Sequence, residues 1–357
     1  MRLIAFYLPQ YYPNETNDKW YGKGFTEWTN TAAAKPLFIG HYEPHIPADL
    51  GFYDLRLQET RRAQAQMAQE YGIEAFCYWT YWFGDGVQEL EMPIWKVYED
   101  KEITLPFCLG WANASWEKKK WNNKSEDNDV IRQQHYFGVE DYKKFFYNML
   151  PLFKDPRYFR VDGKIFFIIH YPLDNAEEVK SFMECWRELA SQEGLEGFFF
   201  AGADFDSRNK GRILDLGFDA IYNRDVLNIH HHLSLLSKVF LMIGREVFHR
   251  PTVFKYKNAI KYMVTEDCRN ENVIPVIAPN FDHSPRSGKK AMILTDCKPE
   301  YFKTILERAK EVVSKKTEDH QIVIIQSWNE WGEGNHLEPD KKYGKAYLEM
   351  IKEVVKE

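Results

Sequence analysis

Gln321-Ile-Val-Ile-Ile-Gln-Ser-Trp-Asn-Glu330-Trp-Gly-Glu333-Gly-Asn-His-Leu-Glu338-Pro339 opens as a short apolar, β-branched run and ends as a polar, aromatic, glycine-broken segment with three carboxylates. A buried parallel strand that delivers functional groups from its C-terminal end has this form. Glu330 and Glu333 lie three residues apart in a turn bracketed by Trp328, Trp331, Gly332 and Gly334. Two acids crowded among aromatic rings suit cleavage of a glycosidic bond. When both are ionised they repel, so the proton affinity of one is expected to rise.

Working outward from this stretch, apolar runs alternate with amphipathic ones. Strands are expected at 3–8, 75–79, 105–111, 165–170, 197–203, 220–223, 274–278 and 322–327, with helices at 54–71, 94–101, 139–153, 176–192, 208–216, 256–269, 299–316 and 343–355. Repeated strand–helix alternation predicts an α/β fold, a (β/α)8 TIM barrel whose long βα loops form an active-site cleft. A doubly wound sheet is the alternative. The turn after the first run, Leu8-Pro9-Gln10-Tyr11-Tyr12-Pro13, lacks the glycine-rich phosphate fingerprint that such a sheet would use. The connections 9–48 and 111–138 are long. No low-complexity linker divides the chain, so residues 1–357 read as one catalytic domain, with an apolar and basic insertion at about 229–256.

The composition is 44% hydrophobic and 28% charged with a net charge of −6, which describes a globular chain. No basic stripe suggests nucleic acid or an anionic membrane surface. Aromatics are 16% of the residues, with 11 Trp and 21 Tyr, and many follow strand-like runs. Their faces stack on sugar rings while their polar edges bond hydroxyls, so a carbohydrate substrate is expected. The cysteines Cys77, Cys108, Cys185, Cys268 and Cys297 show no zinc spacing and read as reduced thiols. Met1 leads straight into the first strand, no run is long enough to span a bilayer, and a cytoplasmic location is expected, with a periplasmic or secreted one as the alternative. The sequons at Asn14, Asn113 and Asn123 would matter only in a secretory pathway. No cofactor or metal is expected: His230-His231-His232 are adjacent and cannot converge on one ion from a regular element. No feature of the sequence speaks to oligomeric state.

Barrel enzymes take functional groups from several strand ends. Read together, those ends nominate Tyr7, Gln10, Tyr78, Trp79, Trp82, Trp111, Asn113, His170, Tyr171, Asp204, Asn223, Asn280, Asp282, Trp328, Asn329 and Trp331 for substrate binding, with Glu330 and Glu333 for catalysis. Each has a plainer alternative. Trp79, Trp82 and Trp111 could cap the barrel core, His170 could be structural, and Asp204 could cap a helix. Asp282 could do the same or pair with Arg286. Glu338 reads as a surface or supporting acid.

Residues Ser327 to Pro339 resemble the signature of WbsX-like proteins, which are often found with polysaccharide and O-antigen biosynthesis genes. The resemblance takes in Ala5-Phe-Tyr-Leu-Pro-Gln-Tyr-Tyr-Pro13, Gly24-Phe-Thr-Glu-Trp-Thr-Asn30, Gly72-Ile-Glu-Ala-Phe-Cys-Tyr-Trp79 and Asn280-Phe-Asp-His-Ser-Pro-Arg286, and so covers nearly the whole chain. The final motif is similar in turn to the Asn-Glu-Trp-x-Glu-Gly signature of glycoside hydrolase family 99, the endo-acting α-mannosidases and mannanases. That likeness implies that Glu330 deprotonates the substrate's own 2-hydroxyl, which attacks the anomeric carbon to give a 1,2-anhydro sugar. Glu333 would protonate the leaving oxygen and later activate water, with net retention. Such attack needs a 1,2-trans substrate such as an α-mannoside or α-rhamnoside. Gly332 departs from that family, which usually carries a bulkier residue there.

The residues and the resemblance together predict a retaining glycoside hydrolase acting on a polysaccharide or oligosaccharide. A glycosyltransferase or transglycosylase in surface polysaccharide (lipopolysaccharide) assembly is the alternative, with Asp204-Phe205-Asp206 as an isolated DxD for a nucleotide diphosphate. A non-catalytic carbohydrate-binding barrel is a third, disfavoured by the two crowded acids.

Overall fold

Eight near-continuous apolar runs form the staves of a closed parallel barrel. They are β1 (Arg2–Tyr7), β2 (Ala75–Trp82), β3 (Phe107–Trp111), β4 (Lys164–Ile169), β5 (Phe198–Asp204), β6 (Ala220–Asn223), β7 (Val273–Ile277) and β8 (Ile322–Ile325). The computed structural model describes residues 1–117, 130–223, 229 and 232–356. Consecutive strands pair in parallel, and β1 closes the ring by pairing with both β2 and β8. Strands such as Lys-Ile-Phe-Phe-Ile-Ile are buried on both faces, which is why their hydrophobicity is continuous and not alternating.

The helices are α1 (Glu15–Tyr21), α2 (Glu27–Ala33), α3 (Gln58–Glu70), α4 (Met92–Glu99), α5 (Val139–Phe153), α6 (Ala176–Gln192), α7 (Lys210–Asp215), α8 (Leu235–Glu246), α9 (Pro299–Val313) and α10 (Ala346–Lys356). In α6, Val179, Phe182, Met183, Trp186, Leu189 and Ala190 recur at helical spacing and are buried. The equivalent face of α3 is small and polar (Arg61, Gln64, Ala65, Ala68), leaving room for hydrogen bonds from the strand layer.

The expected strands and most helices are present, with three differences. The helix expected from residue 54 begins at Gln58, because the Asp54 carboxylate is held by Arg56 in the preceding turn. The helix expected over 256–269 is broken into Tyr256–Ala259 and the 3-10 turns Ile260–Tyr262 and Glu266–Arg269, with Thr265 extended between them. The loop at 9–48 contains α1, N-capped by the Asn14 side chain, and α2. Within the apolar and basic insertion lie α8 and a strand, Thr252–Lys255, that pairs in parallel with Met292–Thr295. Asn123, His230 and His231 lie outside the described residues.

Candidate active site

The carboxylate turn after β8 is sewn to the end of β1. Asn329 Oδ1 accepts the Leu8 N–H at 2.7 Å, and its Nδ2 donates to the Leu8 carbonyl at 3.0 Å. The Tyr11 hydroxyl donates to the Asn329 carbonyl and accepts the Trp331 N–H. Ser327 Oγ donates to the Asn335 carbonyl at 2.6 Å and accepts the Glu330 N–H at 2.9 Å, folding the turn back on itself. The Trp331 ring stacks on His336 at 3.6 Å between centroids, and its Nε1 donates to Glu338 Oε2 at 2.7 Å. Glu338 is thus a buried supporting acid and not a surface one; it also accepts from Tyr53 and Gln64. Burial raises its pKa to about 7 against the lowering effect of these donors.

Glu330 and Glu333 meet over one guanidinium. Arg286 Nη1 donates to Glu330 Oε1 at 3.1 Å and to Glu333 Oε1 at 2.6 Å, while its Nε donates to Glu27 Oε1 at 2.8 Å. Burial alone would lower the Arg286 pKa, but the three carboxylates, Glu27 foremost, raise it well above its ordinary value. The repulsion expected between the two acids is answered by this cation. The closest glutamate oxygens are at most about 5.7 Å apart, since both bond the same nitrogen. His283 Nε2 lies 3.4 Å from Glu333 Oε1, and its Nδ1 lies 2.5 Å from Ser287 Oγ. A Cβ on Gly332 would overlap the Glu27 carboxylate and press on Arg286 Nε, so only glycine permits this close approach.

Two hollows meet at Glu330. One of about 380 Å³ is lined by Gln10, Tyr21, Glu27, Tyr81, Trp116 and Arg286 among others. A second, of about 240 Å³, is lined by Trp79, Tyr81, Trp116, His170, Tyr171 and Glu333. Glu330, Tyr81, Ser115 and Trp116 border both. The Tyr81 phenol is buried and its pKa is raised, by burial first and by Glu330 second, so it remains a donor.

Of the residues nominated from sequence, Gln10, Trp79, His170, Tyr171, Glu330 and Glu333 line this cleft. His170 Nδ1 is paired with the Tyr222 hydroxyl and its ring meets Trp79 edge-on. The others point elsewhere. Tyr7 donates to Gln64 of α3 and packs on Tyr78, so both belong to the layer between sheet and helix. Trp82 stacks on Phe145 of α5, and Trp111 donates to the Trp82 carbonyl while packing on Phe182 of α6. Both are outward because strand residues alternate sides. Asn113 is bonded through both ends of its amide to the Tyr171 backbone. Asn223 accepts from Ser207 at 3.4 Å, and Trp328 is fully buried against Phe76. Asn329 and Trp331 build the turn, as described.

Asn280 and Asp282 line a separate cavity of about 60 Å³ behind the turn. Asn280 Oδ1 accepts the His336 N–H. Asp282 bonds His41 and the Ser284 N–H, not Arg286, and its N–H donates to the Glu333 carbonyl at 2.6 Å. Asp204 accepts the Asp206 N–H, and Asp206 is held by Arg208, so the two carboxylates of the DxD serve their own loop. Burial raises the Asp204 pKa. Glu27, Tyr81, Trp116 and Arg286 were not among the nominated residues. An acid in an aromatic βα loop (Glu27) and an arginine just past a strand end (Arg286) are the signals they leave in sequence.

Among the described residues, two buried groups have metal-like composition: His41, Glu43 and Asp282, and His45, His336 and Asp340. Their hydrogen bonds commit the imidazoles. His41 Nδ1 accepts the Leu37 N–H, so Nε2 carries the proton directed at Asp282. His336 Nδ1 faces the Glu338 carbonyl, which leaves its Nε2 as the acceptor for His45 Nδ1 at 2.8 Å. Both groups act as braces beneath the turn. Burial and then Asp282 raise the Glu43 pKa to about 9.

The family described as glycosyltransferase WbsX matches residues 3–351. Two curated proteins from strains of Xanthomonas campestris pv. campestris, each described as uncharacterized protein WxcX, are 35% identical over 358 residues. The matches take in 99% of this chain and 49% of theirs, so the chain spans about half the length of those relatives. Among solved structures, a glycoside hydrolase-like protein has a TM-score of 0.62 at 13% identity, covering 99% of this chain and 93% of the other. An endo-α-mannosidase of glycoside hydrolase family 99 from Bacteroides thetaiotaomicron has a TM-score of 0.56 at 15% identity, covering 99% and 96%. At such identities the likeness is one of fold.

Proposed function

The chain belongs to the WbsX glycosyltransferase family, and from that premise we propose that it is a retaining glycoside hydrolase acting on a 1,2-trans-linked polysaccharide or oligosaccharide. The observation that carries the reading is the junction of the two hollows at Glu330, with Glu333 held beside it by Arg286. A glycosidic bond lying across that junction places one sugar on each side. With Glu333 protonated as the acid, Glu27 and Glu330 against one guanidinium still leave the site an excess of negative charge, which favours an oxocarbenium-like transition state. The same excess disfavours an anionic nucleotide diphosphate.

Glu330 is the base toward the sugar 2-hydroxyl and Glu333 is the acid and later the base toward water. Both glutamates bond the same Arg286 nitrogen, which brings them close enough to act on one anomeric centre, and retention is what the resemblance to family 99 implies. Tyr81, a buried donor, and the half-buried rings of Trp79 and Trp116 bind sugar hydroxyls and faces.

The family's description favours a second reading, transfer to a sugar hydroxyl in place of water at the same two glutamates. The test is a screen of bacterial polysaccharides and 1,2-trans aryl glycosides with anomeric configuration followed by NMR. Release with retention, reduced at least about a thousandfold in Glu330→Gln and in Glu333→Gln on unactivated substrates, is expected. Full turnover by Glu333→Gln would remove its role. Product only when an acceptor glycan is supplied would establish transfer.

A further inference from the structure

Helix α8 is built inside out. Its half-buried side carries Ser237, Leu241 and Gly244, and it has no buried residue. The opposite side presents Leu235, Leu236, Val239, Phe240, Met242 and Ile243 to solvent, continued by Val247 and Phe248. Leu235, Leu236 and Phe240 are 78%, 73% and 74% exposed. At about 100° per residue these positions fall on one broad arc, so the exposed apolar surface is a continuous stripe. Water-facing stripes of this kind mark an interaction surface.

The charge around the stripe selects the occupant. Residues 234–257 hold five cations (Lys238, Arg245, Arg250, Lys255, Lys257) and one acid, Glu246, in a chain whose net charge is −6. Glu246 is already paired with Arg245. Beside the helix lies a groove of about 440 Å³ lined by the half-buried Phe254 and Met292 and by the exposed Lys238, Arg245 and Lys290. Half-buried apolar side chains beside exposed cations fit a lipid, its chain against the former and its phosphate at the latter. Among the described residues, no helix is long and apolar enough to cross a membrane.

We propose that α8 and the segment after it form an interfacial membrane-docking surface, in which the apolar stripe enters the headgroup boundary of an anionic bilayer and the surrounding cations meet lipid phosphates. The acidic balance of the whole sequence conceals this local patch. The surface is independent of the catalytic reading, because it shares no residue with the cleft.

The test is co-sedimentation of the full chain with phosphatidylcholine–phosphatidylglycerol vesicles and with phosphatidylcholine vesicles. Binding to the anionic vesicles is expected, at least about tenfold weaker on the neutral ones and weakened by salt. The triple variant Leu236→Ser/Phe240→Ser/Phe248→Ser is expected to lose binding with an unchanged Tm, since these side chains are exposed. Arg250→Glu/Lys290→Glu keeps the stripe and is expected to lose the preference for anionic lipid. Hydrogen exchange should show vesicle-dependent protection of 235–248. Absence of binding by the native chain, or equal binding by the triple variant, overturns the proposal. So does a vesicle-indifferent dimer that the triple variant returns to monomer, which would assign the stripe to a second copy.

Discussion

At the scale of single residues, the site depends on a missing side chain. Gly332 lets Glu27 reach Arg286, and Arg286 lets Glu330 and Glu333 share a turn. Gly332→Ala is expected to force the Glu27–Arg286 pair apart, costing about 2–4 kcal/mol in urea unfolding and most of the activity. On a Glu27→Ala background the same substitution is expected to add little, because the group it collides with is gone. Equal losses on both backgrounds would show that the collision is not with Glu27. A substitution that looks like a family idiosyncrasy in the sequence is here a packing requirement.

At the scale of elements, two loops are latched to each other. The turn from Ser327 to Glu338 and the segment after β1 exchange bonds through Asn329 and Tyr11. Asn329→Ala would orphan the buried Leu8 N–H and carbonyl. It is expected to cost about 1–3 kcal/mol and to lower kcat more than it raises KM, since Glu330 follows directly. A variant with native stability and activity would make the latch dispensable. This latch explains what could be read in advance. The staves were legible because both of their faces are buried, so Ile322 to Ile325 shows itself without context. The acids were legible because two carboxylates in a tight aromatic turn are rare. The direction of Tyr7, Trp82 or Trp111 was not, because an aromatic at a strand end suits either the cleft or the layer under the helices, and only the register decides. Glu27 and Arg286 lie 259 residues apart, and no local pattern announces that they pair.

At the scale of the whole molecule, the buried acids beneath the turn link stability to pH. Glu338 has its pKa raised from 4.5 to about 7 in the folded chain. The folded state therefore holds a proton that the unfolded chain releases above about pH 4.5. Its contribution falls as pH rises from there to about 7, by up to about 3 kcal/mol, and is level beyond. Urea unfolding at pH 5 and pH 7.5 is expected to show this decline superimposed on that of other groups, with a shallower slope in Glu338→Gln. An unchanged slope in that variant would assign the decline elsewhere.

The position of β1 has a consequence in time. This strand lies between β2 and β8, and Leu8 bonds Asn329 across 321 residues of chain. Ring closure of the barrel and assembly of the carboxylate turn are thus one event, and it waits on the synthesis of nearly everything between them. During translation the first stave has one neighbour early and an open edge until β8 is made. A nascent chain not yet extended past Ile325 can therefore hold most of the staves, but neither the closed ring nor the carboxylate turn.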